Sequence, residues 1–188
     1  TWPSVVGLLA LIWIEVVTPL ADDPRLLASM LLGYTGVTVG GAVIFGSEAW
    51  FGNVDPISRA FSFFGRFAPF ERTAEGISFR LPGMALTDPE LVSGRDEIAF
   101  VVCLLYVTTF DGFVATWIWE AVAVAVVGLG LPPLLVYFVA YVAGFGLFLG
   151  AFWWAMGLAR RYGETYISRV ALGRRFAPSL LAIAVGYH

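Results

Sequence analysis

Residues 98–119 read IAFVVCLLYVTTFDGFVATWIW. A bilayer core of about 30 Å needs about 20 apolar residues to cross it, and this run is long enough. It contains one carboxylate, Asp111, set in Thr108-Thr109-Phe110-Asp111-Gly112. A charge at membrane depth costs roughly 2.5–3.5 kcal/mol on insertion scales, so it is usually paired, wetted or functional. Glu15 in the first apolar run and His188 in the last pose the same question.

The rest of the composition agrees with that run. Of 188 residues 59% are hydrophobic and 13% charged, with a mean hydropathy of +0.83. Soluble domains are nearer 45–50% apolar and about 25% charged. The expected fold class is all-α: a polytopic transmembrane helical bundle, one domain over residues 1–188. All eleven basic residues are Arg, and Cys103 is the only cysteine. An intrachain disulfide and a Cys-x-x-Cys metal site are therefore excluded. No Gly-x-Ser-x-Gly, Walker or dinucleotide motif is present, and nucleic-acid binding has no support.

Apolar runs predict spans at about 2–20, 26–45, 98–113 and 134–158, with a fifth starting near 176. The fifth run stops at His188 after little more than three turns, so the chain is expected to be part of a longer one. In the second span Gly33, Gly36 and Gly40 place small residues where a partner helix or a second copy can approach. The stretch 56–70 is too short to span. It puts Ile57, Ala60, Phe61, Phe64, Phe67 and Ala68 on one face, with Ser58, Arg59, Ser62 and Arg66 largely on the other, as an interfacial amphipathic helix does. Residues 72–82 read as a short extended hairpin turning at Glu75-Gly76. Residues 115–129 read as a short interfacial or re-entrant helix, and 160–175 as a basic stretch with another surface helix.

With five alternating spans, ten of the eleven arginines fall on one side and only Arg25 on the other. The positive-inside rule makes the Arg-rich loops and the N-terminal end cytoplasmic, in a multi-pass protein of the cell membrane. Arg160, Arg161, Arg174 and Arg175 then mark topology and meet lipid headgroups.

The first, third and fifth spans would rise from that same side. Glu15, Asp111 and His188 would each lie roughly 18–20 Å above their starting points, at about 1.5 Å per residue. Tyr106, Thr108, Thr109, Tyr137 and Tyr141 could add hydroxyls around them. Two carboxylates and an imidazole suit a divalent metal ion or a proton relay. The competing structural reading of Asp111 is that Asp-Gly ends the third helix and caps the next. Glu15 could equally reach interfacial water, and His188 could bond a backbone carbonyl.

The strings Trp13-Ile14-Glu15, Ala49-Trp50-Phe51, Gly65-Arg66-Phe67-Ala68-Pro69, Thr108-Thr109-Phe110-Asp111-Gly112 and Gly186-Tyr187-His188 together resemble fenitrothion hydrolase-like polytopic membrane proteins of actinobacteria and haloarchaea. The resemblance covers essentially the whole chain in order. It implies organophosphate hydrolysis. In that family the segment matching Tyr187-His188 continues into a further histidine.

Three functions follow as expectations. One is a transporter or channel part, in which Glu15, Asp111 and His188 handle a cation or proton. The second is a membrane-embedded hydrolase using the same residues to hold a metal. The third is a non-catalytic subunit docking partner helices.

Overall fold

A computed structural model describes residues 1–73, 76–88, 90–164 and 166–186. Among them run eight α-helices: α1 (Trp2–Val17), α2 (Pro24–Phe45), α3 (Ser47–Asn53), α4 (Pro56–Phe64), α5 (Arg95–Val114), α6 (Trp117–Gly128), α7 (Pro133–Tyr162) and α8 (Arg169–Gly186). One antiparallel hairpin, β1 (Phe70–Thr73) with β2 (Gly76–Phe79), joins α4 to the loop before α5.

The organising element is α5. Its central side chains leave no polar stripe, and a helix of that kind belongs in a protein core or in a membrane. Here α1, α7 and α8 pack around it. The residues from Ile98 to Phe110 are buried almost without interruption. Local signals start the other helices. Asp23 accepts from the Arg25 and Leu26 amides at the head of α2. Asp55 accepts from the Ser58 amide at 2.7 Å at the head of α4. Thr116 accepts from the Trp119 amide at 3.3 Å at the head of α6. Each satisfies a donor that the helix itself cannot.

Three helices, α2, α5 and α7, are long and apolar enough to cross a membrane by length and composition. The expected first span, α1, has 16 residues, about 24 Å of helix. The expected fifth span and the expected surface helix before it are one helix, α8. It starts at Arg169 and carries Arg174 and Arg175 in its second turn, with Pro178 in its interior. The stretch 160–175 is therefore only in part a connection: Arg160 and Arg161 belong to the last turn of α7, and α8 begins at Arg169. The short helix expected at 115–129 is present as the 12-residue α6.

Four contacts fix the relative directions. The Thr1 backbone nitrogen lies 3.2 Å from Asp96 Oδ2. The Arg95 guanidinium stands 5.9 Å above the Trp153 ring. A Cβ on Gly173 would sit 3.0 Å from Ile98 Cδ1, and one on Gly157 would sit 3.5 Å from Arg169 Cζ. So α1, α5 and α8 start at one end of the bundle, and α7 finishes there.

The amphipathic segment turns its faces differently from the sequence expectation. In α4 it is Phe63 that is buried, stacked on Phe100 at 5.7 Å, while Phe61 is exposed. Arg59, expected on the outer face, points inward to Glu97. The hairpin pairs Phe70 with Phe79 and Thr73 with Gly76, two residues earlier than expected. The expected turn residue Glu75 lies outside the described residues.

The glycines of α2 divide in two. Gly33, Gly36 and Gly40 have nothing within 4 Å of where a Cβ would sit, so among the described residues nothing packs onto those three positions. Gly41 is different: a Cβ there would lie 2.4 Å from the Trp50 ring. Gly41→Ala should therefore destabilise the fold by about 1–3 kcal/mol through overpacking, whereas Gly36→Ala should not. Thermal unfolding in detergent of the two variants beside the parent checks this contrast.

Candidate functional site

A cleft of about 510 Å³ opens between α1, α4 and α5. Its polar lining is Glu15, Thr108 and Asp111; Leu8, Ile12, Leu104 and Val107 form much of the apolar wall. The two carboxylates singled out from sequence therefore meet in one space. Their common level follows from two tyrosine bonds. The Tyr141 hydroxyl donates to the Leu9 carbonyl at 3.0 Å, and the Tyr106 hydroxyl donates to the Tyr141 carbonyl at 2.6 Å. Leu9 and Tyr106 thus stand at similar heights. Glu15 is six residues past the first and Asp111 five past the second.

Asp111 is not a cap. α5 runs through Asp111-Gly112 to Val114, and Thr116 caps α6 instead. The Asp-Gly turn expected as an alternative does not form, so the Asp111 carboxylate is free to line the cleft. Its neighbour Thr108 also lines it, with its hydroxyl donated to the Leu105 carbonyl at 2.9 Å. Thr109 is exposed, bonded to the same carbonyl at 2.8 Å.

The three tyrosines expected to support the site lie elsewhere. Tyr106 and Tyr141 are buried between α1, α5 and α7, where both hydroxyls are used up on backbone carbonyls. Tyr106 passes close to Gly144, whose missing side chain makes the room. Tyr137 packs edge-on against Trp119 at 5.1 Å. They hold helices together rather than face the carboxylates. His188 lies outside the described residues. The end of α8 does reach the level of Asp111: Gly186 is 13 residues past Gly173, as Asp111 is past Ile98, and those two residues touch.

On the other flank of α1 a second cleft, of about 470 Å³, lies between α1 and α2. Glu15 lines this one too, and Tyr34 is its other polar group; Leu11, Leu27, Met30 and Leu31 make it mostly apolar. Among the described residues no three His, Cys, Asp or Glu side chains come together to hold a metal ion. Two carboxylates and a hydroxyl in a cleft suit a hydrated or weakly held cation better than a tightly ligated transition metal, which takes nitrogen or sulfur donors.

Two buried polar groupings escaped the sequence reading. Asp55 is only 3% exposed. Besides capping α4 it accepts from the Tyr34 hydroxyl at 2.5 Å and the Thr38 hydroxyl at 3.2 Å, tying α2 to α4. The Asp55-Pro56-x-Ser58 string is a helix-start signal that could have located the cap, though not the partners on α2. The second grouping is Glu97, which pairs with Arg59 and accepts from the Ser93 amide and hydroxyl at 2.6 and 2.8 Å. Of the four arginines assigned to headgroups, Arg160, Arg161 and Arg175 are exposed. Arg174 is half-buried, and its Nε donates to the Val92 carbonyl at 2.8 Å.

Removing the Asp55 carboxylate strands two hydroxyls and an amide. Asp55→Ala should cost about 1–3 kcal/mol and Tyr34→Phe, which deletes one bond, about 0.5–1.5 kcal/mol; melting temperatures in detergent should fall in that order. No protein-family model, curated protein or solved structure matches this chain, and the functional reading rests on the residues themselves.

Proposed function

We propose that this is a multi-pass membrane protein in which the Glu15–Asp111 cleft takes up a cation or a proton, as part of a transporter or channel. The observation that carries the reading is that these two carboxylates, from separate helices, line one cleft. Ionisable side chains at membrane depth mark ion and proton pathways.

The membrane setting is supported by the three long apolar helices and by what they leave uncovered. Val43 and Ile44 on α2 are 80% and 75% exposed, and Leu147 on α7 is 70% exposed. Water would not tolerate so broad an apolar surface, and lipid does. The end where α1, α5 and α8 begin gathers Arg95, Arg160, Arg161 and Arg169, which supports a cytoplasmic placement of that end under the positive-inside rule. On this reading Glu15 and Asp111 stand toward the opposite face. The open Gly33, Gly36 and Gly40 face supports a partner helix, or a second copy, seated on α2.

A metal-assisted hydrolase in the same cleft is the second reading. A bound metal would supply a hydroxide at neutral pH, with Glu15, Asp111 and His188 as its holders. It is supported by the motif resemblance, while the carboxylate pair supports ion handling without it.

The test is flux in proteoliposomes carrying an imposed proton or cation gradient. Contacts to a charged group are worth about 1.5–3 kcal/mol, so Glu15→Gln and Asp111→Asn should each slow flux about tenfold or more. Thr109→Val, with its hydroxyl turned to its own helix, should leave it unchanged. Vesicles no leakier than empty liposomes, or variants as fast as the parent, would sink the proposal. Turnover of an organophosphate without flux would move the assignment to the hydrolase.

A further inference from the structure

The opposite end of the bundle has its own constellation. A cleft of about 380 Å³ there is lined by Trp2, Arg95, Trp153 and Arg169. A wider one of about 600 Å³ adjoins it and shares Arg169, adding Arg160 and Arg161. Four guanidinium groups from three helices thus line two hollows that share Arg169. The single carboxylate among the lining residues is Glu164. Among the described residues none of these four arginines has a carboxylate within salt-bridge distance, because Asp96 lies against the Thr1 nitrogen and Glu97 against Arg59.

These four guanidinium groups are exposed, so the cluster is open to a counter-anion from outside. Guanidinium forks match the paired oxygens of a phosphate. The N-termini of α1, α5 and α8 also point their partial positive charge to this end. The two indoles narrow the choice. Trp2 is half exposed, and Trp153 carries the Arg95 guanidinium on its ring face. Tryptophan settles where apolar surface meets headgroups.

We propose that these clefts bind a phosphate-bearing anion: the headgroup of an anionic phospholipid, clamped by Arg95 and Arg169 with Arg160 and Arg161 as outer contacts. The proposal does not depend on the Glu15–Asp111 reading. It uses different residues at the other end of the bundle.

Native mass spectrometry of the purified full chain, delipidated in detergent, tests it. The probes are a phosphatidylglycerol, a phosphatidylcholine of the same acyl chains, and inorganic phosphate. Each arginine near an anionic headgroup is worth about fivefold in binding. The parent should retain phosphatidylglycerol over phosphatidylcholine. Arg95→Gln with Arg169→Gln should cut that preference about 25-fold. Arg25→Gln, at the far end, should leave it unchanged. Should the double variant fail to fold, Arg160→Gln with Arg161→Gln, at two exposed positions, should lower the preference in the same direction. Millimolar phosphate that displaces the lipid would assign the same clefts to a free phosphate. No preference in the parent, or an undiminished one in a folded arginine variant, overturns the proposal.

Discussion

Everything in this fold follows from a helix that cannot face water on any side. α5 is apolar around its middle, and three other helices close over it. That requirement pushes the polar chemistry to its two ends. Arg95, Asp96 and Glu97 open the helix, and Asp111 stands one turn from its close. The clefts form where the covering helices part around those ends. The middle of the helix is dry and dense, with Phe100, Val101, Val102 and Cys103 almost fully enclosed.

The covering helices are not all held alike. α7 and α1 are pinned to α5 through Tyr106 and Tyr141, each hydroxyl spent on a backbone carbonyl of another helix. α8 is seated by close contact: Gly173 lets it lie against Ile98 and Phe152. Arg174 further anchors α8 to the Val92 carbonyl. By contrast α2 is fastened near its second half, through Tyr34 and Thr38 to Asp55 and through Gly41 to Trp50. Its first half borders the second cleft. A helix attached on one side only leaves most of its surface to whatever surrounds the protein.

Hydropathy alone made much of this legible. Periodicity and length located α2, α5, α6 and α7 within a few residues, because apolar runs bounded by Pro, Gly or Asp leave few other choices. Counting from the helix starts put Glu15 and Asp111 at one level, since parallel helices of equal rise bring equal steps to equal heights. The misreadings have a common cause. Arg169, Arg174 and Arg175 were read as a surface stretch ahead of a separate span, yet one helix can carry arginines in its first turns and an apolar run after them. Arg59 looked like an outward charge, yet its long stem lets it reach Glu97 from a helix whose buried anchor is Phe63. The helix-start signal at Asp55 was passed over, and its partners lie 17 and 21 residues back on another helix. The tyrosines were assigned to the site by their height on the helix, and height does not say which face a side chain takes.

The basic end is built without a single lysine, and that choice of cation has a thermodynamic meaning. A guanidinium keeps its proton under any condition a protein survives, whereas an ammonium can lose its own when crowded or desolvated. The charge gathered by Arg95, Arg160, Arg161 and Arg169 rests on guanidinium groups alone. What does vary is how far it is felt, since the screening length shrinks from about 30 Å at 0.01 M salt to about 8 Å at physiological strength. The reach of the basic end is thus set by the salt around it.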